Sequence, residues 1–190
     1  MALALLEFES IAAGIEAGDA MVKRARIDVL YAGTVHPGHY LLLLNGAVGE
    51  LEEAIDAADL IGFEHVVDRV FLPDPHPQLT AAISGARTSG GGEALGVIET
   101  RTVAATLIAA DAGLKGATVT LRELELADDL GGKAYLLFGG PVVDVEAAVE
   151  IGNERAGTRV IGSRVIAQLH AEMDSNLAAN GRFSARVPGS

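Results

Sequence analysis

A chain of 190 residues, 49% of them hydrophobic, is long enough for one large or two small domains and apolar enough to build their cores. A formal charge of -12, only 4% aromatic residues and no tryptophan repel phosphate backbones and anionic membranes and supply no base-stacking platform, which excludes nucleic acid and membrane partners. The absence of cysteine removes disulfides, thiolate metal sites and iron–sulfur clusters with their usual ligands.

The first segment, "MALALLEFES", has no basic leader, and Glu7 interrupts its apolar run. No stretch of about 18 apolar residues occurs anywhere, so the expectation is a soluble, unexported, cytoplasmic chain. "LALLEF" reads as a buried strand, and Ser10 then N-caps a helix whose apolar stripe is Ile11, Ile15 and Val22. "IDVLYAGT" and "YLLLLN" read as two strands joined by the loop His36-Pro37-Gly38-His39. "AVGELEEAIDAADLIG" is a second helix with Val48, Leu51, Ile55 and Ala58 inward, and "HVVDRVFL" is a closing strand. The order β-α-β-β-α-β is the split β-α-β, ferredoxin-like arrangement, an antiparallel sheet with helices on one face.

After "SGARTSGGGE", whose glycines and serines suit a connector, the order repeats. "ALALLEFESIAAGIEAGDAMVKRA" from Ala2 reappears as "ALGVIETRTVAATLIAADAGLKGA" from Ala94, an offset of 92 that pairs Glu7 with Glu99, Asp19 with Asp111 and Lys23 with Lys115. Past the following loop the offset is 94, pairing Gly46 with Gly140, Glu52 with Glu146 and His76 with His170, so the second copy has gained two residues in that loop. Thr102 takes the place of Ser10 as N-cap, and Val103, Leu107 and Leu114 form the matching stripe. The fold expected is α+β, with two tandem ferredoxin-like domains at 1–83 and 94–174, a Gly/Ser-rich connector at 84–93 and a C-terminal tail at 175–190.

"ALGVIETR", "AADAGLK" and their weaker first-copy counterparts "AGDAMVK" and "FLPDPH", with a glycine-rich loop, a strand ending in "GG", "VVDVEAAVE" and a late histidine, resemble the bacterial microcompartment shell domain over nearly the whole chain. Two such domains in unpermuted order resemble the tandem-domain class. That resemblance implies a homotrimer imitating a six-domain hexagonal tile, set among hexameric and pentameric shell proteins, with metabolites passing through a central pore. No cofactor and no enzymatic activity are expected, because the usual cluster ligands and catalytic motifs are absent from the sequence. The resemblance places Lys23 and Lys115 at the tile edge, although a lysine in a helix's last turn also complements the helix dipole by about 0.3–1 kcal/mol. Where the family often carries an arginine before the late histidine, this chain has Asp74 and Gln168, which suggests different neighbours or weaker tiling. His76 and His170 lie near the same edge in that picture; helix or turn capping is the alternative.

The resemblance puts His36-Pro37-Gly38 and Leu130-Gly131-Gly132 at the pore-lining loop. His39 follows the first loop, and Asp128 and Asp129 precede the second. Pro37 fixes its φ and Gly38 admits a tight turn, while the second loop is longer and more flexible. Asp128 and Asp129, if they face the lumen, make an acidic vestibule favouring cations or polar neutral molecules, and His36 and His39 add charge below about pH 6.5. Solvated side chains pointing away from an axis are the competing reading. The two histidines supply at most half a zinc shell, so a metal site requires three copies of His36 on a threefold axis. Neither a GxSxG elbow nor a P-loop is present, and "SGGGE" lacks the strand and helix of a dinucleotide site. Paired acids such as Glu52-Glu53 diverge by about 100° on a helix. The alternative function is a ferredoxin-like sensor that binds a metabolite between its domains.

Overall fold

A computed structural model of the chain describes residues 1–88 and 92–179. Residues 89–91 of the expected connector and 180–190 of the expected tail lie outside the described residues. The first copy runs β1 (Ala2–Phe8), α1 (Ile11–Arg24), β2 (Val29–Val35), β3 (His39–Gly46), α2 (Val48–Gly62), a 3₁₀ turn (Phe63–His65) and β4 (Val66–Leu72). A short helix, α3 (Pro77–Ile83), follows. The second copy repeats this as β5 (Ala94–Thr100), α4 (Val103–Gly116), β6 (Thr120–Leu126), β7 (Ala134–Gly140), α5 (Val142–Ala156), a 3₁₀ turn (Gly157–Arg159), β8 (Val160–Ile166) and α6 (Ala171–Ala178). The terminal helices α3 and α6 are additions to the predicted elements, and α6 extends into the segment expected as a tail.

Each sheet is four-stranded and antiparallel, in the orders β2-β3-β1-β4 and β6-β7-β5-β8, which is the ferredoxin-like topology. The predicted N-caps form: Ser10 Oγ accepts from the Ala13 amide at 3.2 Å and Thr102 Oγ1 from the Ala105 amide at 3.3 Å. Strand β1 is buried along its whole length. Its even residues Ala2, Ala4, Leu6 and Phe8 pack with Met21, Leu42, Leu51 and Ala58 in the first domain's own core. Its odd residues Leu3 and Leu5 join Val70, Leu79 and the second domain's core, so the two cores meet across the junction.

One predicted stripe is corrected. Val103, Leu107 and Leu114 of α4 are at most 6% exposed, but their counterparts on α1, Ile11, Ile15 and Val22, are 39%, 53% and 47% exposed. Helix α1 rests on its sheet through a narrow face of Gly14, Ala17, Gly18 and Met21 instead. A Cβ on Gly14 would stand 2.7 Å from the Tyr40 ring, so only a glycine permits this close approach. Helix α4 packs on its outer side against the β4 and β1 strands of the first domain, and among the described residues no element of the second domain packs comparably against α1. On α2, Leu51 and Ala58 are buried as expected and Ile55 is half-buried, whereas Val48 in the first turn is 42% exposed.

Candidate functional site

The hairpin tips of the two domains adjoin. In the first, Gly38 at φ 122° closes the turn by donating its amide to Val35 O at 2.8 Å; the His36–Pro37 peptide is cis. His36, Pro37 and Gly38 are exposed and His39 is half-buried. In the second, Ala127 and Lys133 close a seven-residue loop through a 3.1 Å backbone bond, and the Leu130 amide donates to Ala127 O at 3.1 Å. Asp128, Asp129 and Gly131 are exposed, and Leu130 is half-buried. Gly132 is buried against the first tip: a Cβ there would stand 2.8 Å from Pro37 Cδ. The fold thus brings together Pro37 and Gly132, which the sequence separates by 95 positions.

Behind each tip stands a carboxylate from the central strand, at the duplicated positions Glu7 and Glu99. Glu7 is fully buried; its Oε1 lies 2.9 Å from His39 Nδ1, and its Oε2 accepts from the Val103 amide at the start of α4 at 3.2 Å. Burial pushes this carboxyl above the usual range against the opposing pull of His39 and the Val103 amide. Glu99 instead pairs with Lys133 Nζ at 2.9 Å, and both of these side chains are more exposed. Lys133 occupies the second copy's equivalent of His39.

The candidate edge residues divide into two groups. At the junction between the domains, Lys115 Nζ binds Asp111 Oδ2 at 2.7 Å and the Asp74 carbonyl, while the His76 amide donates to Asp111 Oδ1 at 2.8 Å. The Asp74 residue itself is exposed. Lys23, its duplicate, pairs with Asp19 at 2.5 Å one helical turn away. Gln168 and His170 are exposed past the end of β8. Both late histidines cap helices: His76 Nδ1 accepts from the Gln78 amide at 3.2 Å and His170 Nδ1 from the Glu172 amide at 3.3 Å. Among the described residues, no three His, Cys, Asp or Glu side chains stand close enough to hold a metal.

The sequence reading singled out Thr102, Lys115, Asp74 and His76 for other roles, and missed Asp68, Arg159 and Gln78, which also fasten the junction. Thr102 Oγ1 donates to Asp68 Oδ2 at 2.5 Å, Arg159 binds the Val67 carbonyl at 2.8 Å, and the Leu121 amide donates to Gln78 Oε1 at 2.9 Å. A glutamate in an otherwise apolar buried strand, recurring in both copies, was the available signal for Glu7.

Two copies of one antiparallel α+β unit, fused so that their cores meet and their hairpin tips adjoin, define a tandem-domain scaffold. The chain belongs to the BMC domain family, whose model matches residues 2–75 and again 94–169. It is 39% identical over 174 residues to the bacterial microcompartment shell protein PduT of Citrobacter freundii, covering 90% of this chain and 95% of that one. Carboxysome shell protein CsoS1 of Prochlorococcus marinus is 39% identical over 95 residues, which span 48% of this chain and 89% of that protein, so about one domain here matches a whole relative. The crystal structure of a microcompartment protein from Desulfitobacterium hafniense DCB superposes with a TM-score of 0.79 at 36% identity, covering 92% of this chain and 98% of that one. The chain is a structural component of a bacterial microcompartment shell, and the sensor alternative is not favoured. No helix among the described residues is long and apolar enough to cross a membrane.

Proposed function

We propose that the chain tiles a shell facet as a head-to-tail homotrimer of six quasi-equivalent domains, with the two kinds of hairpin tip alternating around a central pore for metabolites. One observation carries this reading: the stripe of α4 is buried by the first domain, and the same stripe on α1 is exposed. A second chain presenting its β8 and α6 to α1 would complete that burial, and a heterologous contact repeated around an axis closes into a ring. The chemistry of the junction is largely available for reuse. The bonds from Val103 to Glu7 and from His76 to Asp111 have counterparts in Ile11 with Glu99 and His170 with Asp19. The Thr102–Asp68 bond has none, because Gly162 replaces the acid.

On this reading residues 1–83 and 94–174 are the two tile domains, 84–93 joins them and 175–190 forms the tail. Lys23 and Lys115 line the tile edge with Asp74, His76, Gln168 and His170, facing hexameric and pentameric shell partners. His36, Pro37, Gly38 and His39 alternate at the pore with Asp128, Asp129, Leu130, Gly131 and Gly132. The chain acts as a wall and passage, without catalysis and without a cofactor. Light scattering of the purified protein is expected to give a trimer, and co-expression with single-domain shell proteins to give sheets or closed shells containing it. A stable monomer that enters no assembly would refute the proposal.

A further inference from the structure

The two hairpins are fastened by the same carboxylate position but by different cations. Glu7 is 0% exposed and holds two elements at once: the hairpin through His39 and the N-terminus of α4 through the Val103 amide. The groups facing this pair are few. Asp68 on β4 adds negative charge beside Glu7, and it is itself occupied by the Thr102 hydroxyl at 2.5 Å and by Arg159 Nε at 3.5 Å from the second domain. The Val103 amide adds the positive end of α4, and His39, from β3, is the titratable cation in direct contact with Glu7 among the described residues. In the second copy the equivalent cation is the Lys133 ammonium, not an imidazole.

We propose that His39 and Glu7 form a proton-operated latch fastening the first hairpin tip to the domain junction, and that the second tip, held by Lys133 and Glu99, is exempt from it. A protonated imidazole both donates a hydrogen bond to Glu7 and neutralises its buried charge; a neutral imidazole retains at most the hydrogen bond. Imidazoles change charge between pH 5 and 8, so the latch loosens as pH rises through that interval. In a ring of three chains, every second tip would loosen and the intervening three would stay fixed. That consequence rests on the trimeric pore reading; the latch itself is a property of one chain.

The test is amide hydrogen exchange on the purified full-length protein at pH 6 and pH 8, corrected for intrinsic exchange and read on peptides covering 33–40 and 127–133. The expected result is a loss of protection of about fivefold in 33–40 at the higher pH, the upper end for a partly exposed ion pair, with 127–133 unchanged. His39→Lys, which copies the second domain's arrangement, is expected to abolish the difference. Equal protection of 33–40 at both pH values overturns the latch, and so does a pH effect that survives in His39→Lys. Should that variant fail to fold by circular dichroism, the contrast between the two peptides in the unmodified protein decides the matter. Light scattering on the same samples reports the trimer separately, so either idea can fail while the other stands.

Discussion

Replacing Ile15 by aspartate and Leu107 by alanine should separate two roles of one duplicated position. Burying an isoleucine or valine side chain stabilises by about 1.5–3 kcal/mol, and roughly half of the surface of Ile11, Ile15 and Val22 remains exposed. Completing their burial is therefore worth about 1 kcal/mol each, or about 3 kcal/mol for each contact between chains. An aspartate at position 15 removes one share and places a charge in the seam, where desolvation costs several kcal/mol. Together these exceed the stripe's contribution and weaken each contact by about a thousandfold or more, taking 1.4 kcal/mol as tenfold. Leu107 is 0% exposed inside a single chain, so Leu107→Ala should destabilise the fold itself by about 2–5 kcal/mol. At about 2–4 °C per kcal/mol, that lowers the melting temperature by roughly 4–20 °C. Size exclusion with light scattering and a thermal melt of each variant are the assays. Ile15→Asp should run at the chain mass of 19.6 kDa with native circular dichroism. An Ile15→Asp protein that still elutes as a trimer at micromolar concentration would refute the reasoning.

Gly132→Ala combines a φ of 83° with a Cβ 2.8 Å from Pro37 Cδ, so it should cost roughly 2–4 kcal/mol in urea unfolding and disturb both hairpin tips. Glu7 has a carboxyl pKa raised by burial, so its contribution to stability is fully present below the unfolded value of about 4.3 and is lost as pH rises through the folded value. The stability difference between Glu7→Gln and the unmodified chain should therefore shift in the variant's favour between pH 4 and pH 7; urea melts showing a shift the other way would contradict it. Changing Asp128 and Asp129 together to serine should reduce the preference of assembled shells for cationic over anionic solutes, measured as flux. An unchanged preference removes the acidic vestibule.

The duplicated architecture was legible because its signals are local. Runs such as "ALALLEF", the caps Ser10 and Thr102, and helical spacing each depend on neighbouring residues, and the 92-residue repeat lets one copy check the other. The failure on α1 has a clear physical cause. A stripe of isoleucines at helical spacing records that a surface is apolar, not whether a chain's own core or a separate surface covers it. The small residues Gly14, Ala17 and Gly18 that do contact the sheet carry almost no hydropathy signal. The junction bonds were out of reach for another reason: Glu7 and Val103 are 96 positions apart, and only the relative placement of two folded domains makes them partners. Capping was the alternative reading of His76 and His170, but the helices α3 and α6 that they cap are too short to show a period.

The Thr102–Asp68 bond, present where the domains are fused and missing at the equivalent Ser10 and Gly162, bears on how the two kinds of seam are held. The fused seam closes within one molecule, at an effective concentration that a short connector sets in the millimolar range. Any seam between separate chains must form at the protein's actual concentration, without that advantage. A covalent tether thus lets the first seam carry the extra Thr102–Asp68 fastener, whereas on the trimer reading a seam between chains relies on the apolar stripe of α1 and the junction bonds the two seams share. Cutting the connector between Ser84 and Glu93 would put both seams under the same law of mass action.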